Sequence, residues 1–127
     1  MTITSIYKEH YQGTTYRTGV AYLRARSRSD PRSPLRVGRD TLDQQRDIIA
    51  QAARREQTII VAEFIDYGIL QGLRPGLEAL FDFSTTTHVQ NCYLVSRRHL
   101  TTRTDETDFW DKHFQIAGLD RTYVDEE

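Results

Sequence analysis

Short apolar, β-prone runs alternate with amphipathic or helix-capped segments along this chain, and this alternation constrains the fold more than any other feature. The predicted strands are 18–23, 58–65, 92–95 and 123–124. Neighbouring strands that are separated by helices pair in parallel, because a parallel pair needs a crossover connection. The sequence therefore predicts an α/β fold with three layers, in which a mostly parallel sheet of about four strands carries helices on both faces.

Capping residues mark the predicted helices. Thr41 is a candidate N-cap with Gln44 three residues later, which is the capping-box pattern, and an apolar stripe follows it. Pro75 suits the first turn of a second helix. Thr104 or Thr107 is expected to cap a last helix that ends at Gly118. That helix is expected to turn four side chains inward, namely Phe109, Trp110, Phe114 and Ala117.

The length of the chain limits it to a single domain. Its 127 residues are enough to bury a core, and Cys92, the only cysteine, cannot form an internal disulfide. The first twenty residues contain no apolar signal-peptide core, and no later segment is long enough to cross a membrane. We therefore expect a soluble, cytoplasmic protein without a membrane partner. Residues 1–16 are expected to form a flexible leader, and residues 17–127 the domain.

Charge is distributed unevenly along a chain whose net charge is -1. Of the 17 basic residues, 15 are arginine, and the last 24 positions form an acidic tail with eight acidic residues against two basic ones. A dense run of arginines, interleaved with serine and proline, predicts a long mobile loop over residues 25–40. The five within it that could grip DNA phosphates are Arg26, Arg28, Arg32, Arg36 and Arg39. The alternative is a solvated loop that reflects GC-rich coding bias.

Polar residues gather where the predicted strands end. In an open parallel sheet, ligands bind outside the carboxyl ends of the strands. Arg24, Arg26 and Ser27 follow the first strand and Asp66 follows the second. Residues 97–103, which include Arg98, His99 and Arg103, follow the third. Arginines around a hydroxyl are suited to phosphoryl transfer. The alternative is that these arginines form ion pairs with Asp66 or with the acidic tail.

Other kinds of site are disfavoured. The sequence contains no glycine-rich phosphate loop that ends in Lys-Ser or Lys-Thr, and its four histidines lack metal-ligand spacing. We therefore expect no cofactor and no metal. Trp110 and Phe114 are four residues apart, which is typical of core packing on a helix.

Four ordered motifs resemble the catalytic domain of serine site-specific recombinases, which include resolvases, invertases and large serine integrases. They are Ala21-Tyr-Leu-Arg-Ala-Arg-Ser, Leu42-Asp-Gln-Gln, Asp66-Tyr-Gly and Arg74-Pro-Gly-Leu-Glu-Ala-Leu. The resemblance extends over about residues 18 to 125. It implies the parallel α/β fold already predicted, and a serine that attacks a DNA phosphate to form a phosphoserine link without metal or ATP.

The resemblance assigns roles to individual positions. Arg24, Gln45, Asp66 and Arg74 match the family's active-site positions. Ser27 is the candidate nucleophile, and Arg98 and Arg103 are candidates to surround the phosphate with the other arginines. After the third strand the family has Lys-Leu-Asp-Arg-Leu-x-Arg, where this chain has Ser96-Arg-Arg-His-Leu-Thr-Thr-Arg. Anchoring this alignment on Leu100 places Arg98 at the family's aspartate, His99 at its essential arginine and Thr102 at its last arginine.

Other departures concern the nucleophile and the chain beyond the sheet. Strict counting places Arg26 at the nucleophile position and Ser27 one residue late. A slip of one residue in an extended segment turns a side chain to the opposite face, so only a loop or bulge would restore Ser27. The family's long dimerisation helix and DNA-binding domain have no counterpart in the sequence, so the chain is expected to lack both.

These features leave three functional hypotheses. The first is a protein with the recombinase fold in which strand cleavage is impaired or lost, and which acts by binding DNA, a second copy of itself or a partner recombinase. The second is an active strand-exchange core that uses Ser27. The third is an unrelated small α/β phosphoesterase.

Overall fold

The four strands in the described part of the chain form one parallel sheet. A computed structural model describes residues 16–25, 41–68, 74–100 and 106–125. The strands are β1 (Arg17–Ala25), β2 (Thr58–Tyr67), β3 (Asn91–Leu94) and β4 (Asp120–Tyr123), and they lie in the order β2-β1-β3-β4. All three strand pairs are parallel, which confirms the predicted sheet.

Helices connect the strands. They are α1 (Leu42–Arg55), α2 (Pro75–Thr87), α3 (Arg97–Leu100) and α4 (Thr107–Ala117). The predicted capping box is present, because the Gln44 amide N–H donates to Thr41 Oγ1 and the Thr41 amide N–H donates to Gln44 Oε1, at 3.1 and 2.8 Å. Gly118 ends α4 in the left-handed conformation, with φ +66°. This conformation costs glycine little, because it has no Cβ.

Each face of the sheet has its own apolar core, and alternation along β1 separates the two. Ala21 and Leu23 pack with Ile49 of α1 on one face. Val20 and Tyr22 pack with α2 and α4 on the other. Successive strand residues point to opposite faces, so one strand supplies both cores. The predicted three-layer arrangement with helices on both faces is confirmed.

The structure corrects several details. β1 continues through Arg24 to Ala25, and the last strand begins at Asp120 rather than Tyr123. The short helix α3 was not predicted. The prediction that Phe109 faces inward is wrong, since it is 54% exposed. Successive helix residues are rotated by about 100°, so Trp110 and Phe114 share the inner face and Phe109 is turned away from it.

Some predictions concern residues outside the described ranges. The leader, apart from Tyr16, and the arginine-rich segment 26–40 are among them. Within the described ranges, no helix has the length and apolar character needed to span a bilayer.

Candidate functional site

The carboxyl ends of β1 and β2 bring two predicted site residues side by side. Arg24 and Asp66 are direct partners in the register of these strands. Both are buried, with 1% and 3% of their surface exposed. The Arg24 guanidinium also donates from Nη2 to the carbonyl of Gly68, just beyond the end of β2. The topological rule that predicted this edge therefore located a real cluster of polar side chains.

Asp66 fastens the start of helix α2 to the sheet. Its Oδ1 accepts from the amide N–H of Gly76 at 2.6 Å, and its Oδ2 accepts from that of Leu77 at 3.0 Å. The Tyr22 hydroxyl donates to Oδ2 at 2.7 Å. The first amides of a helix have no partner within the helix, and a negative charge there is favourable. Asp66 therefore satisfies amides that the N-cap Arg74 leaves without a side-chain bond.

Glycine at position 76 allows this close approach. A Cβ there would lie 2.5 Å from the carbonyl oxygen of Ile65 and 2.8 Å from Asp66 Oδ1. The first of these contacts is with backbone, which cannot move without distorting β2. The Arg-Pro-Gly sequence thus combines a proline that suits the first helical turn with a glycine that lets α2 start against the strand.

Gln45 reaches the same strand end from the opposite face of the sheet. Its Oε1 accepts from the amide N–H of Arg24 at 3.0 Å, and its Nε2 donates to the Arg24 carbonyl at 2.7 Å. β3 pairs with β1 only at residues 19–21. The Gln45 side-chain amide therefore gives the Arg24 backbone the hydrogen bonds that β3 gives β1 at residues 19–21. Its complete burial is consistent with this role.

Arg74 belongs to the same edge but is held from the side of α3 and α4. Its Nη1 donates to the carbonyl of Leu100, and its Nη2 lies 3.8 Å from Glu106 Oε1. The guanidinium carbon lies 5.0 Å from the ring centroid of Trp110. Arg74 itself is almost fully buried. The contact with Glu106 is an ion pair with the acidic tail, of the kind that the alternative interpretation of the arginines predicted.

His99 is a member of this cluster that the sequence analysis did not choose. It is fully buried, and burial together with the nearby positive charge of Arg24 lowers its pKa to about 4. The imidazole is therefore uncharged at neutral pH. Arg98, chosen from the sequence, lies on the exposed side of α3. Anchoring the motif on Leu100 was the signal that pointed to His99, because it placed His99 where the family has its essential arginine.

Tyr22 is a second member that the sequence analysis did not choose. It lies two residues before Arg24 on β1, so the two side chains share a face of the sheet. Burial raises the pKa of its phenol; Arg24 opposes this rise and Asp66 adds to it. Tyr22 therefore stays protonated and donates to Asp66. The period of two along a strand, counted back from Arg24, is the signal that could have found it.

The remaining predicted residues lie outside the described ranges. They are Ser27, Arg103, Arg26, Arg28, Arg32, Arg36 and Arg39. Their roles stay predictions. Among the residues that are described, no group of three His, Cys, Asp or Glu side chains is placed to hold a metal ion.

Two solved structures are similar to this chain over most of its length. One is the C-terminal catalytic domain of ISC1926 TnpA, an IS607-like serine recombinase, with a TM-score of 0.66 and 20% identity over 84% of this chain and 70% of that one. The other is the N-terminal catalytic domain of TP901-1 integrase, with a TM-score of 0.66 and 14% identity over 85% of this chain and 77% of that one. No protein-family model and no curated protein matches the sequence. The chain thus has the fold of serine recombinase catalytic domains, as the sequence motifs predicted.

Proposed function

We propose that this protein takes part in DNA site-specific recombination by binding the DNA backbone, and that its capacity for strand cleavage is impaired or lost. The observation that carries the proposal is the buried, uncharged His99 beside Arg24. The motif resemblance assigns this position to an essential arginine.

The loss of one charged donor has a large effect on phosphoryl transfer. Charge develops on the phosphate oxygens in the transition state, and fixed positive donors stabilise it. Removing one well-placed donor costs about 3 to 4 kcal/mol, which is a rate loss of roughly a hundredfold to a thousandfold. A neutral imidazole at this position therefore supports binding without efficient cleavage.

The remaining polar groups at this edge support phosphate binding. The Nε of Arg24 is buried and has no hydrogen-bond partner among the described residues, so an anionic oxygen that reached it would satisfy an otherwise unpaired donor. Segment 26–40, which carries the arginine run, is joined to β1 at Ala25 and to α1 at Thr41. Both attachment points adjoin the strand end that Gln45 and Arg24 build. Guanidinium groups can bind two phosphate oxygens at once.

Cleavage is tested by trapping a covalent adduct. The full chain is incubated with a pool of nicked suicide duplexes of random sequence, and SDS-stable protein-DNA species are counted by gel. We expect none from the wild type. An adduct that disappears in Ser27→Ala would overturn the proposed loss of cleavage. An active serine recombinase with its own nicked site serves as the positive control.

DNA binding is tested by its dependence on salt. If the chain contacts three to six phosphates, log affinity for a duplex should fall with log salt at a slope of about -3 to -5. A triple variant with Arg28, Arg32 and Arg36 changed to Gln should reduce the magnitude of this slope by about three. A matched control, Arg54→Gln with Arg55→Gln at the exposed end of α1, should leave the slope unchanged. A flat salt response in the wild type would overturn DNA binding.

A second candidate function is association with another copy of this chain or with a partner recombinase. It is favoured by two large apolar side chains of α4 that are exposed, Phe109 and Ile116. Light scattering across a concentration series, alone and with a recombinase, tests it. Phe109→Ser with Ile116→Ser should abolish any association that this surface supports.

A further inference from the structure

We infer that Trp110 is a positioning residue that holds the Arg74 guanidinium in place for a DNA phosphate. The inference rests on the proposed function, because it takes Arg74 as a phosphate-binding residue. The two side chains come from different elements, since Arg74 is the N-cap of α2 and Trp110 lies in the first turns of α4.

The contact between them is the kind that fixes a cation without using up its donors. The Arg74 guanidinium carbon lies 5.0 Å from the centroid of the indole ring, in the range of a cation-π interaction. A ring face attracts the positive charge but accepts none of its N–H groups in the plane of the guanidinium. Those N–H groups remain directed at oxygen acceptors, of which the carbonyl of Leu100 is one.

The indole is itself held firmly. Its ring is stacked on Phe81 with centroids 6.4 Å apart, and Phe109 meets it edge-on at 4.8 Å. The ring of His113 lies 5.7 Å away. Aromatic contacts on several sides prevent the ring from turning away from Arg74.

The Trp110 Nε1 atom supplies a second, independent observation. It is buried and has no hydrogen-bond partner among the described residues. A buried N–H without an acceptor is destabilising, whereas a leucine or phenylalanine would fill the space without that penalty. The indole has the strongest cation-π interaction of any side chain, and the cation over its ring is Arg74.

The experiment compares variants of the full chain in duplex binding at a series of KCl concentrations. Trp110→Leu removes the π face and retains apolar volume, and we expect it to lower affinity by about threefold to tenfold. We also expect Trp110→Leu and Arg74→Gln each to reduce the magnitude of the salt slope by about one. The double variant should be no worse than either single variant, since both changes remove the same phosphate contact. Trp110→Phe retains a π face and should restore most of the slope.

A purely structural role for Trp110 predicts other results. It would lower the melting temperature but leave the salt slope unchanged, and that outcome would overturn the inference. Additive losses in the double variant would overturn it as well. If Arg74→Gln does not fold, Arg74→Lys takes its place in the comparison of single and double variants. Lysine retains the positive charge but lacks the planar guanidinium.

A measurement without DNA separates this inference from the proposed function. Ring currents of the indole should shift the Arg74 Nε–Hε NMR signal upfield in the free protein, and Trp110→Leu should abolish that shift. A wild type that binds DNA with no salt dependence overturns the proposed function. An Arg74 signal that Trp110→Leu does not move overturns the positioning role whether or not DNA binds.

Discussion

Charged side chains are exposed at the amino end of the parallel strands and buried at the carboxyl end. At the amino end, Arg17 and Glu56 form a 3.6 Å ion pair in which the side chains are 53% and 39% exposed. At the carboxyl end, Arg24, Asp66 and Arg74 are almost fully buried. Exposed pairs contribute about 0 to 1 kcal/mol to stability, while burying charge costs several kcal/mol per ion before partners offset it. The comparison teaches that charged side chains at the carboxyl end are buried and bonded to protein groups, whereas those at the amino end remain at the surface.

The strongest way to break this comparison is to remove Asp66. Asp66→Ala leaves two α2 amides and the Tyr22 hydroxyl without their acceptor, and removes the carboxylate from beside Arg24. We expect the free energy of unfolding to fall by about 3 to 5 kcal/mol, measured by urea denaturation. Glu63→Ala on the exposed side of β2 is the matched control. A loss below about 1 kcal/mol for Asp66→Ala would show that the buried carboxylate stabilises the fold no more than an exposed one does.

The pH dependence of stability tests the burial of His99. Its pKa is lowered from 6.5 to about 4 in the folded chain, so between these values the unfolded chain binds more protons. The contribution of neutral His99 to the free energy of unfolding is complete above pH 6.5 and is lost as the pH falls towards 4. It amounts to about 3 kcal/mol. Urea unfolding at a series of pH values should show this loss in the wild type and a flatter profile in His99→Gln. Equal profiles would mean that His99 is solvated.

Gly76 tests how closely α2 approaches the sheet. The Cβ of Gly76→Ala would lie 2.5 Å from a β2 carbonyl, so α2 or the strand must shift. We expect a loss of about 1 to 3 kcal/mol in chemical denaturation. Gly118→Ala is the control, because nothing lies within 4 Å of its added Cβ and only its positive φ costs energy, about 1 to 2 kcal/mol. A smaller effect at position 76 than at 118 would contradict the tight junction.

The smallest effect is expected at the amino end. Arg17→Gln breaks the exposed pair with Glu56, and we expect the melting temperature to change by an amount equivalent to at most about 0.5 kcal/mol. High salt should remove even this difference, because it screens exposed charges. A loss of about 2 kcal/mol or more in the free energy of unfolding would contradict the difference between the two ends of the sheet.

Much of the fold could be predicted from local signals. The capping box at Thr41 and the stop at Gly118 are properties of a few adjacent residues, and the structure shows both. The meeting of Arg24 and Asp66 followed from parallel topology, because strands of the same direction end at the same edge.

The rest depends on contacts between distant residues. The helix α3 has four residues, too few for a periodic pattern to show that His99 is buried and Arg98 exposed. Packing against the sheet decides that choice. The contact between Trp110 and Arg74 joins positions 36 apart in the sequence, so the spacing that identified Trp110 and Phe114 as core residues says nothing about it.

The double hydrogen bond between Gln45 and the backbone of Arg24 joins helix α1, on one face of the sheet, to the end of strand β1. A side-chain amide that binds both an N–H and a carbonyl of one residue tolerates little sliding, since any displacement lengthens both bonds. Helix α1 and the end of β1 must therefore move together. A ligand or partner that pushes on the outer surface of α1 would shift the arginine at the far side of the sheet, so this surface offers a way to control the site without touching it.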